Sequence, residues 1–351
     1  EDKLSDRLHE ELTKTFIDKR ASILARGLKQ DMKFDTKILQ TNEVMIDDQF
    51  IGKINGLKLE LDLKKGALET DIKALKKAAR QAVGPELEKR IQIIIETGLI
   101  ELDSNLKIYW KKSAIARLLN GRDYLNPKIE LAVDDILEKS QRQKLLEYLE
   151  NWLKVKINIT LKSLIDLKNI NEKNSYMKAL AYQLYENNGV IKRDQVTEYI
   201  KNLEQNERKI LRDLGVKFGR FHIFLHRLIK PEAVLLRTLL WKNYHQKNFD
   251  HEPPTFGLNF LIDDKIRNRN FMLLCGFEKF ENSYIRIDIL ERLFVKIINS
   301  KSEKKNEIKV LPEMLNLLGC NKKNFKKLLT NMSYTVFERE NEIFFRYSPR
   351  K

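Results

Sequence analysis

Four lysines near the C-terminus have the spacing of one helix face, and they carry the clearest chemistry in this sequence. The apolar residues between them recur on the opposite face of the same predicted helix. Ammonium groups arranged in this way can contact phosphates and displace the counterions condensed on a nucleic acid. A solvated lysine face on a helix that packs only against protein is the alternative. The lysines are Lys322, Lys323, Lys326 and Lys327, and the apolar residues are Phe325, Leu328, Leu329 and Met332.

A second cationic segment, between positions 217 and 230, is interleaved with aromatic residues. Lys217, Arg220 and Lys230 are its candidate phosphate contacts. The rings among them could stack on bases, but the same alternation is typical of a buried strand, and we favour packing over stacking. These rings belong to Phe218, Phe221 and Phe224.

The residues that could support catalysis or metal binding are isolated. His222 and His226 have i, i+4 spacing, but no third ligand accompanies them and their segment has an extended pattern, so we predict no metal site. Cys275 and Cys320 have no companion at zinc or disulfide spacing, which favours a reducing, cytoplasmic location. The phosphate-binding motif G-x-x-x-x-G-K-[ST] is absent from the sequence. We therefore predict no catalytic residue and no cofactor in this chain.

The charge balance of the chain indicates its partners. The 351 residues carry a formal net charge of +16 at pH 7. A cation excess of this size attracts polyanions, of which nucleic acid comes first, although genomic base bias toward lysine is an alternative explanation. No apolar run approaches the roughly 18 residues of a membrane span, so we expect no membrane partner.

The N-terminal 135 residues divide into two segments. Residues 1–40 contain an amphipathic helix over positions 4 to 28, and residues 41–135 have the pattern of a mixed α/β module. In that module a helical pattern over positions 68 to 96 is interrupted at Gly84-Pro85, which predicts two helices. The strand-turn-strand patterns at 51–61 and 115–131 resemble each other. The resemblance indicates either an internal duplication or chance similarity between short β segments.

The rest of the chain divides into three segments. Residues 136–250 are predicted to form a helical domain that includes the basic aromatic segment, and residues 251–283 a linker. Residues 284–351 have the order helix, helix, turn, helix, hairpin, which is that of a winged helix. The expected fold class is mainly α with small β modules, an α+β protein of several units that ends in a winged-helix-like unit.

Four blocks of the sequence carry a family resemblance. They are Asp2-Lys-Leu-Ser-Asp-Arg-Leu-His-Glu-Glu-Leu with Phe16-Ile-Asp-Lys-Arg, then Leu214-Gly-Val-Lys-Phe-Gly-Arg-Phe-His-Ile-Phe-Leu, then Leu228-Ile-Lys-Pro with Leu235-Leu-Arg-Thr-Leu-Leu-Trp, and Pro312-Glu-Met-Leu-Asn-Leu-Leu-Gly-Cys. Together they resemble the C-terminal, non-motor half of bacterial superfamily 2 helicases related to the mitochondrial degradosome RNA helicase. The resemblance runs from about Asp2 to Tyr334. It departs from the expected pattern between the second and third blocks, at Leu225-His226-Arg227, where we expect a less basic, proline-containing stretch in relatives.

The resemblance implies a parent helicase whose two RecA-like motor domains precede this region. Such a parent binds ATP and Mg²⁺ and unwinds duplexes in the 3′ to 5′ direction, whereas this chain would be its accessory half. The absence of an initial Met fits such a fragment. The implied role is to grip nucleic acid as it leaves the motor, or to dock the motor to partners.

Three functions therefore compete. The chain is the accessory region of an ATP-dependent RNA or DNA helicase, a stand-alone winged-helix binding protein, or a scaffold that binds a ribonuclease or another protein of an RNA-processing complex. The expected nucleic acid is RNA or DNA, single-stranded or partly duplex. The codons upstream of Glu1 distinguish the first function from the second, because a phosphate-binding loop encoded there supports the helicase and an immediate start codon contradicts it.

Overall fold

The structure is a computed structural model with a mixed α+β fold of several small modules. It divides into two compact parts, Glu1–Lys154 and Val155–Lys351, which we call the N-terminal and C-terminal halves. The amphipathic helix predicted over positions 4 to 28 lies outside the described residues, apart from Ser5 and Arg7, which are helical. The structure describes residues 35–62, 69–133, 136–170, 174–245, 252–263, 268–300, 307–340 and 342–347, together with Ser5 and Arg7.

Two four-stranded antiparallel sheets form the β part of the N-terminal half. In each sheet the strand order follows the chain order, so that every strand pairs with the next one. The first sheet contains β1 (Thr36–Ile38), β2 (Glu43–Ile46), β3 (Gln49–Asn55) and β4 (Lys58–Leu61). The second sheet contains β5 (Glu101–Leu102), β6 (Lys107–Trp110), β7 (Ser113–Leu119) and β8 (Lys128–Leu131).

The two sheets share local backbone details as well as strand order. The second strand of each has a register shift, at Val44/Met45 in one sheet and at Ile108/Tyr109 in the other. The turn that follows has two left-handed residues in both cases, Asp47–Asp48 and Lys111–Lys112, as a tight hairpin turn requires. These matched details support a duplication of one strand module, which the sequence similarity alone left open.

A single long helix, α1 (Glu69–Thr97), connects the two sheets, and the prediction of two helices broken at Gly84-Pro85 is wrong. Pro85 has no N–H to donate to the carbonyl of Gln81, which normally ends or kinks a helix. Here the Gly84 carbonyl accepts a hydrogen bond from the Gln141 side-chain amide at 3.1 Å. An apolar stripe also continues through the proline and holds both parts of the helix against the core. Its members are Ala79, Val83, Leu87, Ile91 and Ile94, all at most 1% exposed.

Further helices follow the second sheet. Helix α2 (Lys139–Thr160) buries a stripe of Leu145, Leu149 and Leu153. Helix α3 is Lys162–Lys168, and helix α4 (Ser175–Glu186) buries Met177, Leu180 and Leu184.

The C-terminal half repeats one topology, which we call a winged unit, three times in its described residues. Each unit has a helix, then a short strand, then one or two further helices, and finally a β-hairpin. We call the helix directly before the hairpin the "third helix" of its unit. The second hairpin strand pairs on one side with the first hairpin strand and on the other with the short strand, always antiparallel. The predicted C-terminal winged helix is therefore accompanied by two others.

The three units follow one another along the chain. The first contains α4, β9 (Val190–Lys192), α5 (Thr197–Lys201), the third helix α6 (Gln205–Asp213), β10 (Val216–Phe218) and β11 (His222–Leu225). The second contains α7 (Pro231–His245), β12 (Phe260–Ile262), the third helix α8 (Arg269–Leu274), β13 (Phe277–Phe280) and β14 (Ser283–Arg286). The third contains α9 (Ile287–Asn299), β15 (Ile308–Lys309), α10 (Pro312–Leu318), the third helix α11 (Lys322–Asn331), β16 (Tyr334–Arg339) and β17 (Glu342–Tyr347).

The second unit replaces most of the linker predicted over residues 251–283. Over its described residues this range contains two whole strands and a helix, because its apolar residues pack into a common core. The short strands β9, β12 and β15 were not predicted either. Each has two or three residues, too few for a periodic pattern, and becomes a strand by pairing with a hairpin.

Three buried ionisable side chains join the three winged units. Nε2 of His222, on β11 of the first unit, lies 2.7 Å from Oε2 of Glu278, on β13 of the second. Nδ1 of the same imidazole lies 3.8 Å from Oε1 of Glu291, on α9 of the third. Lys192 and Arg269 approach Glu278 from its outer side, at 3.8 and 3.3 Å. We call His222, Glu278 and Glu291 the central cluster.

The electrostatics of the central cluster favour charged side chains. Burial alone would lower the pKa of His222, but the hydrogen bond with Glu278 and the charges of Glu278 and Glu291 outweigh burial and raise this pKa. Burial would likewise raise the pKa of each glutamate. The hydrogen bond and charge of His222 lower the pKa of Glu278, and the nearby His222 together with three backbone N–H groups lowers the pKa of Glu291. The cluster is therefore most stable with the imidazolium between two carboxylates.

The buried guanidinium of Arg237, on α7, is a second connection between units. Its Nη1 donates to the carbonyl of Asn188 at 2.6 Å, and its Nη2 donates to the carbonyls of Leu228 and Leu274, each at 2.7 Å. These carbonyls lie at or just beyond the ends of helical segments, where backbone acceptors lack helical partners. A cation is stabilised at such ends by the helix dipoles.

The stability of the C-terminal half is expected to depend on pH through His222. Because its folded pKa is raised, the histidine contributes fully below its ordinary pKa of 6.5, and this contribution is lost as pH rises through the folded value. The glutamates contribute fully above 4.5 and lose their contribution as pH falls through their lowered values. Urea unfolding from pH 4 to 9 should therefore show a decline above pH 6.5 that His222→Gln abolishes. Parallel curves for the two proteins would contradict this assignment.

Replacement of Arg237 by Leu should destabilise the C-terminal half by about 3 kcal/mol or more, because three buried carbonyls lose their donor. Arg237→Lys should fall between this variant and the wild type, since one ammonium cannot reach all three acceptors. Equilibrium urea unfolding followed by circular dichroism measures both. Leu235→Ala is the control on the same helix, because Leu235 is 51% exposed and its loss should cost within about 0.5 kcal/mol. Equal losses for Arg237→Leu and this control would refute the role.

Candidate nucleic-acid interface

The third helix of the third unit, α11, has the two faces that the sequence predicted. Phe325, Leu328 and Leu329 are buried in the core of the unit. The Asn321 side chain caps the helix by accepting the N–H of Asn324 at 2.8 Å. The outer face carries lysines and the helix contains no acidic residue. Three of the predicted contacts are exposed there, and they are Lys322, Lys323 and Lys327.

The fourth predicted lysine, Lys326, differs from the other three. Its ammonium group lies 2.9 Å from Oε1 of Glu338, on the neighbouring strand β16. The pair is exposed on both sides, so solvent screens it and it contributes little to stability. A phosphate that approached Lys326 would compete with this carboxylate.

Two of the α11 lysines stand where a helix normally disfavours cations. Lys322 and Lys323 occupy its first turn, where the helix dipole concentrates partial positive charge. The arrangement costs the helix some local stability. In return, the backbone N–H groups and the two ammonium groups create one region of positive potential, which attracts anions.

The third helix of the first unit, α6, also presents cations, and sequence reasoning missed it. A reciprocal capping box between Glu204 and Glu207 starts the helix, and Leu211 anchors it in the core. Lys209 and Arg212 are exposed on its outer side. The residue after the helix is the signal that could have identified it. In each unit a residue with a left-handed backbone follows the third helix and leads into the hairpin, and these residues are Gly215, Gly276 and Ser333.

The first unit's hairpin carries two of the predicted contacts. Lys217 is exposed on β10. Arg220 is exposed in the hairpin turn, and its guanidinium lies 5.6 Å from the centre of the Phe294 ring on α9. The backbone N–H groups of Arg220, Phe221 and His222 all donate to the Glu291 carboxylate. This hairpin is therefore packed against the third unit, and its turn holds Arg220 beside that unit.

The remaining predictions for the basic aromatic segment have separate outcomes. Phe224 is buried, and the Phe221 ring meets the Phe294 ring edge-on at 5.1 Å, so packing is confirmed for these two rings. Phe218 is half-buried beneath the guanidinium of Arg212 at 5.6 Å. Lys230 is exposed, but it precedes α7 in the sequence and belongs to neither a third helix nor a hairpin.

Over its described residues, the second unit differs from the other two. Its third helix, α8, buries Phe271, Met272 and Leu274. Its one cation, Arg269, is paired with Glu278 of the central cluster. This unit therefore serves packing, while the third helices of the first and third units face outward.

The groups that could perform other chemistry have structural roles or are inert. His222 belongs to the central cluster, and in the part of the chain that the structure describes no group of three or more potential ligands could hold a metal ion. Burial raises the pKa of the Cys320 thiol to about 11, so it stays protonated and unreactive near neutral pH. Among the described residues, no helix combines the length and the apolar character needed to cross a membrane.

Comparisons with known proteins identify no relative of this chain. No family model, no curated protein and no solved structure matches it.

Glu338→Gln should strengthen the binding of a single-stranded oligonucleotide, because it removes a competing carboxylate and releases Lys326. One added phosphate contact would steepen the log–log dependence of affinity on salt by about 0.7. Fluorescence anisotropy at several salt concentrations measures both effects. Glu340→Gln removes the same charge from the exposed hairpin turn and leaves the Lys326 pair intact, so it is the matched control. Identical slopes for the two variants would exclude a phosphate contact by Lys326.

Proposed function

We propose that this chain binds nucleic acid through the outer faces of its first and third winged units, as the accessory region of an ATP-dependent helicase. The observation that carries the binding proposal is the outer face of α11, where three exposed lysines occur without an acidic residue on the helix. Phosphates are the ligands that such a surface favours, and contact with them needs no particular base sequence.

A second surface that exposes cations supports the proposal, although its helix also contains Glu207 and Asp213. Helix α6 of the first unit exposes Lys209 and Arg212, and the adjoining hairpin adds Lys217 and Arg220. A nucleic acid that contacted both units would gain affinity from two linked sites. The central cluster ties the two units together directly and so limits the entropy lost on binding both.

The helicase part of the proposal comes from the resemblance of the sequence blocks. ATP and Mg²⁺ would act in motor domains outside this chain, while this region would hold the strand or dock a protein such as a ribonuclease. The blocks that carry the resemblance contain His222 and Arg237, the two residues that connect the winged units. The same blocks also contain the cations Lys217, Arg220 and Lys230 of the proposed surface. The isolated cysteines fit a cytoplasmic location.

The triple variant Lys322→Ala, Lys323→Ala, Lys327→Ala should weaken binding by a similar factor for unrelated single-stranded sequences. Loss of three phosphate contacts should lower the log–log salt slope by about 2. Filter binding or anisotropy at four salt concentrations provides the slope.

The matched control removes three charges from exposed lysines outside the third helices, Lys139, Lys154 and Lys162. This control tests whether the total charge alone is responsible. Equal slopes for both triple variants would show that α11 faces protein or solvent, and would favour the scaffold function instead.

A further inference from the structure

An exposed aromatic ring lies where the first and third winged units meet. Tyr347, the last residue of β17, is 65% exposed. It pairs in register with Tyr334 on β16, and the two ring centres are 5.7 Å apart at an angle of 68°. The Tyr334 ring is itself buried and packs edge-on against Phe345 at 5.3 Å. The Tyr347 ring is thus supported on one side by the Tyr334 ring, and much of its remaining surface is exposed to solvent.

A cation from the first unit approaches the same place. Burial raises the pKa of the Tyr334 hydroxyl, the charge of Tyr347 adds to this, and the charge of Arg220 opposes it. Arg220 and Tyr347 each lie within electrostatic reach of Tyr334, and Phe221, next to Arg220, packs against the core cluster that contains Tyr334. Arg346, which precedes Tyr347 on the strand, is exposed on the opposite face of the hairpin.

The charges on the third unit's hairpin are divided between its two ends. Arg339 and Glu342 form the register pair next to the hairpin turn, and Tyr334 and Tyr347 form the pair at the opposite end. Six paired residues separate these ends by roughly 17 Å. The acidic residues of the hairpin, Glu338, Glu340 and Glu342, belong to the end with the turn.

The tyrosine end of the hairpin thus combines an exposed ring, supported by Tyr334, with an arginine of the first unit. A lone exposed tyrosine would need no explanation. Aromatic rings beside cations are the means by which proteins hold unpaired bases, since every base has a face that can stack and each is flanked by phosphates. A protein partner would have to bring acidic groups to the same place, whereas a nucleic acid brings them in every nucleotide.

We propose that Tyr347 stacks on an unpaired base of single-stranded nucleic acid, with Arg220 contacting a flanking phosphate. This inference rests on the proposed function and specifies its substrate as single-stranded. The site belongs to two units, since Arg220 comes from the first and the tyrosine from the third. Duplexes, whose bases are stacked on each other, do not use the ring.

The test compares Tyr347→Ala and Tyr347→Phe with the wild-type chain. The ligands are a thymidine strand, a uridine strand, an abasic deoxyribose strand of equal length, and a DNA duplex. Tyr347→Ala should weaken binding to the thymidine and uridine strands by about 5- to 100-fold. Tyr347→Phe should bind within about threefold of the wild type, because the ring is retained. Neither variant should alter binding to the abasic strand or the duplex. Unchanged thermal unfolding confirms that both variants fold.

The outcomes separate this inference from the proposed function. If Tyr347→Ala binds every ligand like the wild type while the α11 triple variant still binds weakly, stacking is wrong and the proposed function stands. An equal loss on the abasic strand or the duplex also overturns stacking. If the wild type binds none of the ligands, or binds without salt dependence, the proposed function itself fails. A larger loss on one of the two base-containing strands identifies RNA or DNA as the preferred form.

Discussion

The C-terminal half depends on one buried charge cluster, in which the His222 imidazole lies between the carboxylates of Glu278 and Glu291. Each member belongs to a different winged unit, so a single unit in isolation has no equivalent. Burial of three ionisable groups costs solvation free energy, which only their mutual attraction and hydrogen bonds offset. Removal of any one member weakens the compensation for burying the other two, although Lys192 and Arg269 still approach Glu278 and three backbone N–H groups still donate to Glu291. The same cluster fixes the first unit's hairpin on α9, and thereby holds Arg220 beside the third unit.

One repeated topology has two uses in this chain. In the second unit the third helix buries Phe271, Met272 and Leu274, and its one cation, Arg269, is paired with Glu278 of the central cluster. In the first and third units the equivalent helix buries only its apolar face and exposes cations. The winged topology alone therefore does not predict nucleic-acid binding. The residues on the outer face of the third helix determine whether a unit can bind phosphates. The unfavourable lysines in the first turn of α11 are consistent with a surface retained for binding rather than for stability.

Local signals predicted the third unit well, while pairing over longer distances stayed hidden in the sequence. Pro312 and Gly319 mark both ends of α10, and the lysine face of α11 followed from helical spacing. Strands β9, β12 and β15 carry no periodicity, so the first two units were not recognised, and Lys209 and Arg212 were overlooked with them. Pro85 misled in the opposite direction, because packing of an apolar stripe outweighed a local helix-breaking signal. The central cluster could not be predicted, since its members are far apart in the sequence and meet only in the folded chain.

The contact between the first and third units sets this array apart from linear repeat proteins. In a linear array each repeat touches only its neighbours, so repeats can be deleted from one end and the remainder still folds. Here the first unit's hairpin rests on α9, beyond the unit that follows it. Truncation after the second unit would leave Phe221 without its aromatic neighbour and three hairpin N–H groups without their carboxylate acceptor. The three units should accordingly unfold in one transition, and the shortest fragment of this half that folds should contain all of them.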